Sequence, residues 1–250
     1  MTTQPPLFSI ITIVFNGAAH VEQTIQSVVG QTCRDVEYVV IDGGSTDGTL
    51  EILKKYSDRI AYWVSERDRG ICDAFNKGVR ASKGRVILFL GADDYLHDEH
   101  VLEGVAAALP KMKAPYFFYG DLDYVYKNKV ARVHKNYTFS KFCRYSCLPH
   151  QAMFLDRWFF DTYGLFDESV PIAMDYEHTA RFIREYQPEY LDLAISCMRR
   201  YGNSSDPRTA HEDMDRIRLK YGLASKAEVA RDRLILEAKI AIGRLLRLDW

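Results

Sequence analysis

The chain has 250 residues, 47% hydrophobic and 27% charged, which is ample for a packed core in one large domain or two small ones. Its 33 Lys and Arg against 34 Asp and Glu leave a formal charge of −1, so no global field draws in nucleic acid. No run approaches the roughly 20 apolar residues of a membrane-spanning helix, and the start MTTQPPLFSIITIVFNG lacks the basic region and cleavage site of a signal peptide. The expected compartment is therefore the cytoplasm.

Leu7 to Phe15 is almost continuously apolar, the pattern of a strand covered on both faces, and it ends at the turn Asn16-Gly17. Val21, Ile25, Val28 and Val29 fall at i, i+4, i+7 and i+8, which predicts an amphipathic helix closing near Gly30. A second strand over 36–41 runs into Asp42-Gly43-Gly44-Ser45-Thr46-Asp47-Gly48, a glycine-rich turn whose backbone can approach a ligand, and a helix follows over about 49–56. The third strand, 60–64, leads through Glu66-Arg67-Asp68-Arg69-Gly70 into a helix with Ile71, Phe75 and Val79 on its apolar face. After the turn Lys83-Gly84 comes a strand over 86–90, then the adjacent acids Asp93 and Asp94.

Strand-helix repeats with short connections predict a parallel sheet with right-handed crossovers. Ligands of such sheets bind beyond the carboxyl ends of the strands, where Asn16, Asp42, Asp68 and Asp93/Asp94 all fall. Adjacent uncompensated carboxylates repel; a hard divalent cation relieves that repulsion while holding nucleotide phosphates. Capping of the next helix is the simpler role for the same pair.

Beyond Asp94 the pattern changes. A helix near 99–109 precedes two aromatic β segments, Tyr116 to Tyr126 and Lys129 to His134, joined at Lys127-Asn128, which suggests a mixed sheet. The segment Ala152 to Leu155 is a further strand candidate, and Met174-Asp175-Tyr176-Glu177-His178 opens a helix running to about Tyr186. Five scattered cysteines argue against a disulfide framework. Cys143-x3-Cys147-x2-His150 has the spacing of a partial zinc site without a fourth ligand nearby.

From about Pro207 two helices are expected, broken near Gly222. The second carries Ala227, Ala230, Leu234, Ala238, Ala241, Leu245 and Leu248 at steps of three and four, and Trp250 ends the chain. Between Arg216 and Arg247 nine basic residues face three acidic ones, a local charge of +6. Such a helix lies on anionic lipid, or packs its stripe on the domain or on a second copy. The expected organisation is a two-part domain over 1–206, divided near 100, with a helical extension over 207–250.

Four blocks carry a resemblance: Ile13-Val14-Phe15-Asn16, Ile41-Asp42-Gly43-Gly44-Ser45-Thr46-Asp47-Gly48, Asp68-Arg69-Gly70-Ile71 with Asn76-Lys77-Gly78, and Gly91-Ala92-Asp93-Asp94. In order and spacing they resemble the family 2 glycosyltransferases of the GT-A fold, over about residues 7 to 100. The resemblance implies an α/β fold in which a Rossmann-like, mostly parallel sheet is fused to a smaller mixed sheet on the acceptor side, with C-terminal helices. It implies a nucleotide-sugar donor lined by Thr12, Val14, Asn16 and Ala92, with Asp42 on the base, Asp68 beside it and Asp93 on the ribose. By the same likeness Asp94 holds Mg2+ or Mn2+, Asp175 is the catalytic base, and His150 and Glu177 stand on the acceptor side, with Asp167 or Glu177 as substitutes for the base. The activity implied is inverting, metal-dependent sugar transfer to a glycan or lipid-linked acceptor. By analogy it belongs to surface polysaccharide biosynthesis, at the inner face of the plasma membrane. A non-catalytic sugar-nucleotide-binding or scaffold protein of the same fold is the alternative. A sugar-1-phosphate nucleotidyltransferase is disfavoured, because its glycine-rich, Arg-containing amino-terminal loop is missing.

Overall fold

The computed structural model describes residues 4–126, 129–170, 172–199 and 207–246. In chain order the elements are β1 (Phe8–Val14), α1 (Val21–Val29), β2 (Val36–Asp42), α2 (Thr49–Lys55), β3 (Tyr62–Ser65), α3 (Ile71–Ala81), β4 (Val86–Gly91) and β5 (Tyr95–Leu96). There follow α4 (Val101–Ala108), β6 (Phe117–Tyr126), β7 (Lys129–Val133), α5 (Phe139–Phe142), β8 (Met153–Asp156), α6 (Arg157–Tyr163), α7 (Met174–Ala180), β9 (Glu189–Arg199), α8 (Pro207–Lys220) and α9 (Lys226–Leu246). The expected turn at Lys127-Asn128, the boundary at 206/207, and Leu248 and Trp250 lie outside the described residues.

The strands form one sheet in the order β3-β2-β1-β4-β8-β6-β9-β5, with β7 paired to β6. From β3 to β4 all pairs are parallel, as the strand-helix repeats require; β8 then runs antiparallel to β4 and to β6. The two expected sheets are thus continuous through β8. The strand β9, parallel to β6, answers to no element expected from the sequence.

A distance argument shows that the sheet curls. Gly91 ends β4 and Tyr95 begins β5, so four residue steps, about 14 Å when extended, must bridge them. Three strands lie between β4 and β5 in the sheet order, which in a flat sheet is a gap of about 19 Å. The β9-β5 edge therefore bends back toward β4, and the residues of the bridge are Ala92, Asp93 and Asp94. Consistent with this, the Arg199 amide at the end of β9 donates to Asp94 Oδ1 at 3.3 Å.

Apolar side chains fill both faces of the sheet. Ile11, Phe75, Phe89, Phe159, Phe182 and Ile217 belong to one cluster, under α3, α6, α7 and α8; Phe8, Ile10, Ile25, Leu53, Val105 and Phe154 belong to the other. Phe75 and Val79 are buried as expected, but Ile71 is 54% exposed, because it is the first helical residue of α3 and lies at the rim. The helix α7 stops at Ala180, short of the expected Tyr186.

A buried amide staples α3 to the loop before α7. Asn76 Nδ2 donates to Phe166 O at 3.0 Å, and the Phe166 amide donates back to Asn76 Oδ1 at 2.9 Å, so the side chain pairs like a strand backbone. Removing it leaves two buried backbone groups unpaired at about 1–3 kcal/mol each. Asn76→Ala is expected to lower the unfolding midpoint by roughly 4–24 °C, measured by thermal denaturation.

One expectation for the C-terminal helix is overturned. Ala227, Ala230, Leu234 and Ala238 are all exposed, Leu234 by 73%, whereas Val229 is the buried apolar residue of α9 among those with described side chains. Among the residues with described side chains the stripe therefore faces away from the domain, and α9 is instead held to α8 by the buried Arg218, which donates to Asp232 Oδ2 at 2.7 Å. No helix among the described residues is long and apolar enough to cross a membrane.

Candidate active site

The rim at the carboxyl ends of β1, β2, β3 and β4 is built from short polar contacts between loops. Asn16 adopts φ 51, a left-handed conformation uncommon for a residue with a Cβ. It is held there because its amide donates to Ser45 Oγ at 2.7 Å and its Oδ1 accepts from the Thr46 amide at 2.9 Å. Asp47 secures the same corner, accepting from the Ala18 amide at 3.0 Å. Thr24 Oγ1 reaches the carbonyls of Ala92 at 2.8 Å and Asp94 at 2.6 Å, so α1 pins the bridge to β5.

Asp42 is enclosed and saturated. It accepts from the Gly44 and Ser45 amides, from Ser45 Oγ and, at 2.6 Å, from Ser65 Oγ. With no exposed surface it shapes the turn from behind, and the expected contact to a base is not available to its side chain. Thr12 and Val14 are likewise corrected. Both are buried on the face covered by α1, where Thr12 Oγ1 accepts from Tyr38 OH at 3.1 Å, so neither side chain lines the rim.

The side chains that do stand at this part of the rim are Phe15 and Asp68. Phe15 is 67% exposed just past β1. A Cβ placed on Gly43 would lie 2.5 Å from Asp68 Oδ2 and 3.4 Å from Phe15 Cδ2, so ring and carboxylate meet over a glycine that leaves them room. Asp68 Oδ1 also accepts from the Gly70 amide at 2.9 Å.

The acids after β4 converge in a similar way. A Cβ on Gly91 would meet Asp94 Oδ2 at 2.9 Å and Asp93 Oδ1 at 3.1 Å, so both carboxylates close over the space a side chain would fill. Asp94 is buried, and burial together with the Asp93 charge pushes its carboxyl up to about 7. Two hard carboxylate oxygens converging on one space, one starved of water, fit a divalent cation.

Across the rim, α7 begins beside α3: Met174 Sδ lies 3.2 Å from Cys72 Sγ. Asp175, half-buried in the first turn of α7, accepts from the Tyr176 amide at 2.8 Å. Its charge is felt at His150, whose ring stacks on Phe89 at 5.0 Å. Burial lowers the His150 pKa, and its Nε2 has no partner among the described residues. Glu177 points the other way. It is wholly buried and bonded to Arg181 Nη2 at 2.5 Å, Lys220 Nζ at 3.0 Å and Tyr221 OH at 2.5 Å. The expected acceptor-side role of Glu177 is therefore replaced by a structural one.

The family model of glycosyl transferase family 2 matches residues 9–161. The chain belongs to this family. A PGL/p-HBAD biosynthesis glycosyltransferase of Mycobacterium bovis (strain BCG / Pasteur 1173P2) is 29% identical over 217 residues, covering 85% of this chain and 84% of the relative. An uncharacterized glycosyltransferase, Rv1514c, of Mycobacterium tuberculosis (strain ATCC 25618 / H37Rv) is 32% identical over 199 residues, covering 78% and 74%. Among solved structures, S. aureus TarS 1–349 in complex with UDP-GlcNAc superposes with a TM-score of 0.71 at 21% identity, covering 90% of this chain and 69% of that one. The mannosyltransferase PcManGT from Pyrobaculum calidifontis, in complex with GDP-Man and Mn2+, gives 0.61 at 17% identity, covering 96% and 81%. The fold of this glycosyltransferase is GT-A.

Two groups at the transferase's rim were not anticipated from its sequence. Phe15 is the last residue of the mostly apolar run from Leu7, and its exposure could be suspected only from its place before Asn16-Gly17. Arg199 belongs to the unexpected β9; its guanidinium lies 5.1 Å from the Tyr95 ring centroid and donates to Asp93 O and Gln23 Oε1. The Cys143, Cys147 and His150 spacing brings no metal-binding group together among the described residues.

His178 gives the transferase an acid sensitivity. Its ring stacks on Phe160 at 4.5 Å, its Nε2 donates to Gly164 O at 2.9 Å, and burial drives its pKa down to about 3. The unfolded imidazole takes up a proton near pH 6.5, so the neutral buried form stabilises the fold fully above about that pH and progressively less down to about 3. Between pH 6.5 and 5 this one residue is expected to remove about 2 kcal/mol. Denaturation midpoints across that range should fall less steeply for His178→Phe.

Proposed function

We propose that this transferase moves a sugar from a nucleotide diphosphate donor to a hydroxyl of a glycan or lipid-linked acceptor, inverting the anomeric configuration, with Mg2+ or Mn2+ at Asp94. The observation that carries this reading is the closing of two carboxylates over Gly91 at the end of β4. The nucleotide-sugar complexes of TarS and PcManGT, the latter with Mn2+, support the donor class and the cation.

Phe15 and Asp68 present a stacking face and a hydrogen-bond acceptor to the base, Asn16 and Ala92 border the nucleotide, and Asp93 accepts from the ribose. When bound, the cation stabilises the negative charge that develops on the leaving diphosphate. Asp175 takes the proton of the attacking hydroxyl. His150 lines the acceptor side, and attack opposite the leaving group in a single displacement accounts for inversion. In this reading residues 1–206 are the catalytic domain, with 7–100 binding donor and 101–206 binding acceptor, and 207–250 are an extension. The exposed stripe of α9 then serves peripheral contact with the inner face of the plasma membrane or self-association, in surface polysaccharide biosynthesis.

A panel of nucleotide sugars assayed by thermal denaturation tests the donor site. At 100-fold excess over Kd the matching donor adds about 2.7 kcal/mol, a rise of roughly 5–10 °C for a chain of this length. That rise should require Mg2+ or Mn2+ and should vanish in Asp94→Asn. A rise that is independent of metal and unchanged in the variant sinks the proposed ion site.

A further inference from the structure

We propose that His97, Asp123 and Cys197 form a second metal site, for a divalent cation of the zinc class, distinct from the Asp93–Asp94 pair. Three strands deliver these side chains. In the ladder Cys197 of β9 is opposite both Tyr95 of β5 and Asp123 of β6, and the His97 amide extends the β5 pairing by donating to Ile195 O at 2.9 Å. His97 Nδ1 lies 2.9 Å from Asp123 Oδ2 and 3.9 Å from Cys197 Sγ, and the three ligand atoms are all within 4.8 Å of one another.

Those spacings suit tetrahedral zinc. Bond lengths of about 2.0–2.3 Å to nitrogen, oxygen and sulfur put neighbouring ligand atoms about 3.3–3.6 Å apart. Small side-chain rotations span the difference. A thiolate beside an imidazole selects zinc or cobalt over magnesium, which prefers oxygen ligands. Asp123 and Cys197 are buried while the His97 side chain keeps 32% of its surface, which leaves an approach for water as the fourth ligand.

Arg132 is the competing cation. Its Nε donates to Asp123 Oδ1 at 2.8 Å and its Nη2 to Oδ2 at 3.1 Å, and Nη2 also lies 3.5 Å from His97 Nε2. In the metal-free chain this half-exposed side chain neutralises Asp123, and it must swing outward when the metal takes Nδ1 and the ring proton moves to Nε2. The Cys197 thiol proton is released to solvent on binding. Tyr95 directly follows Asp94, and Arg199, two residues beyond Cys197, contacts Asp94. A metal here would rivet β5 to β6 and β9 behind the acidic pair, in a positioning role.

The test is metal content and spectroscopy of the whole chain. After incubation with Zn2+ and desalting in excess Mg2+, the wild type should retain about one equivalent, and Co2+ should give a thiolate charge-transfer band. His97→Ala and Cys197→Ser should each weaken retention at least tenfold, and Cys197→Ser should abolish the band. Arg132→Gln should bind zinc more tightly. Asp94→Asn should retain zinc normally while losing the metal-dependent donor effect, which separates this site from the donor site. Retention unaffected by both ligand variants, or absent from wild type and Arg132→Gln alike, overturns the proposal.

Discussion

Asp175→Asn is expected to reduce turnover by on the order of 10²- to 10⁴-fold while leaving donor binding unchanged. The substitution preserves shape, and an asparagine oxygen still accepts from the Tyr176 amide that now holds Asp175 Oδ1 at 2.8 Å. What is lost is the capacity to take a proton. The alternatives are poorly equipped to replace it. Glu177 is enclosed by three partners, and Asp167 is bonded to Ser169 Oγ at 2.6 Å and to the Ser169 amide at 2.9 Å. The measurement is steady-state transfer alongside donor-induced thermal stabilisation. Turnover within a few-fold of wild type would assign the base elsewhere. A wild type that binds donor and transfers nothing would favour a scaffold.

Two residues further on, Glu177→Gln should leave the chemistry of the folded molecule largely intact but cost about 3–5 kcal/mol of stability, the range for breaking a buried ion pair from one side. Burial alone would raise the Glu177 pKa, but its bonds to Arg181, Tyr221 and Lys220 overcome this and hold the carboxyl below its ordinary value. Its loss strands Arg181, which is largely buried and also donates to the carbonyls of Tyr163 and Leu165. It also unties α8 from α7, since Lys220 and Tyr221 come from the far end of α8. The unfolding midpoint should fall by roughly 6–20 °C. A shift of only a degree or two would show that the cluster contributes little net stability.

The contrast between these neighbours illustrates what the sequence could reveal. Both are acids in the first turn of one helix; one is made structural by Arg181 a turn further on and by Lys220 and Tyr221, 43 and 44 residues away, which no local pattern announces. The parallel half was readable because periodicity, glycine turns and polar strand ends agree there, and Asn16, Asp68 and Asp93/Asp94 do reach the rim. Within β1 the same reading failed. A strand buried on both faces has no alternation to say which side chain faces a cleft, so placing Thr12 and Val14 at the site rests on the family resemblance alone, and nothing in the run singles out Phe15. The α9 stripe was visible, but what holds α9 to α8 is the Arg218–Asp232 bond, a tertiary contact. The curl of the sheet depends on β9, whose place between β6 and β5 no local pattern encodes.

The three-residue crossing from Gly91 to Tyr95 has a mechanical corollary. The crossing is folded, a turn closed by the Asp94 amide donating to Gly91 O at 3.1 Å, so displacement of the β9-β5 edge must either open that turn or carry Asp93 and Asp94 with it. An acceptor that draws that edge inward would shift the acids of the donor pocket in the same movement, and lengthening the tether by a few glycines should uncouple the two.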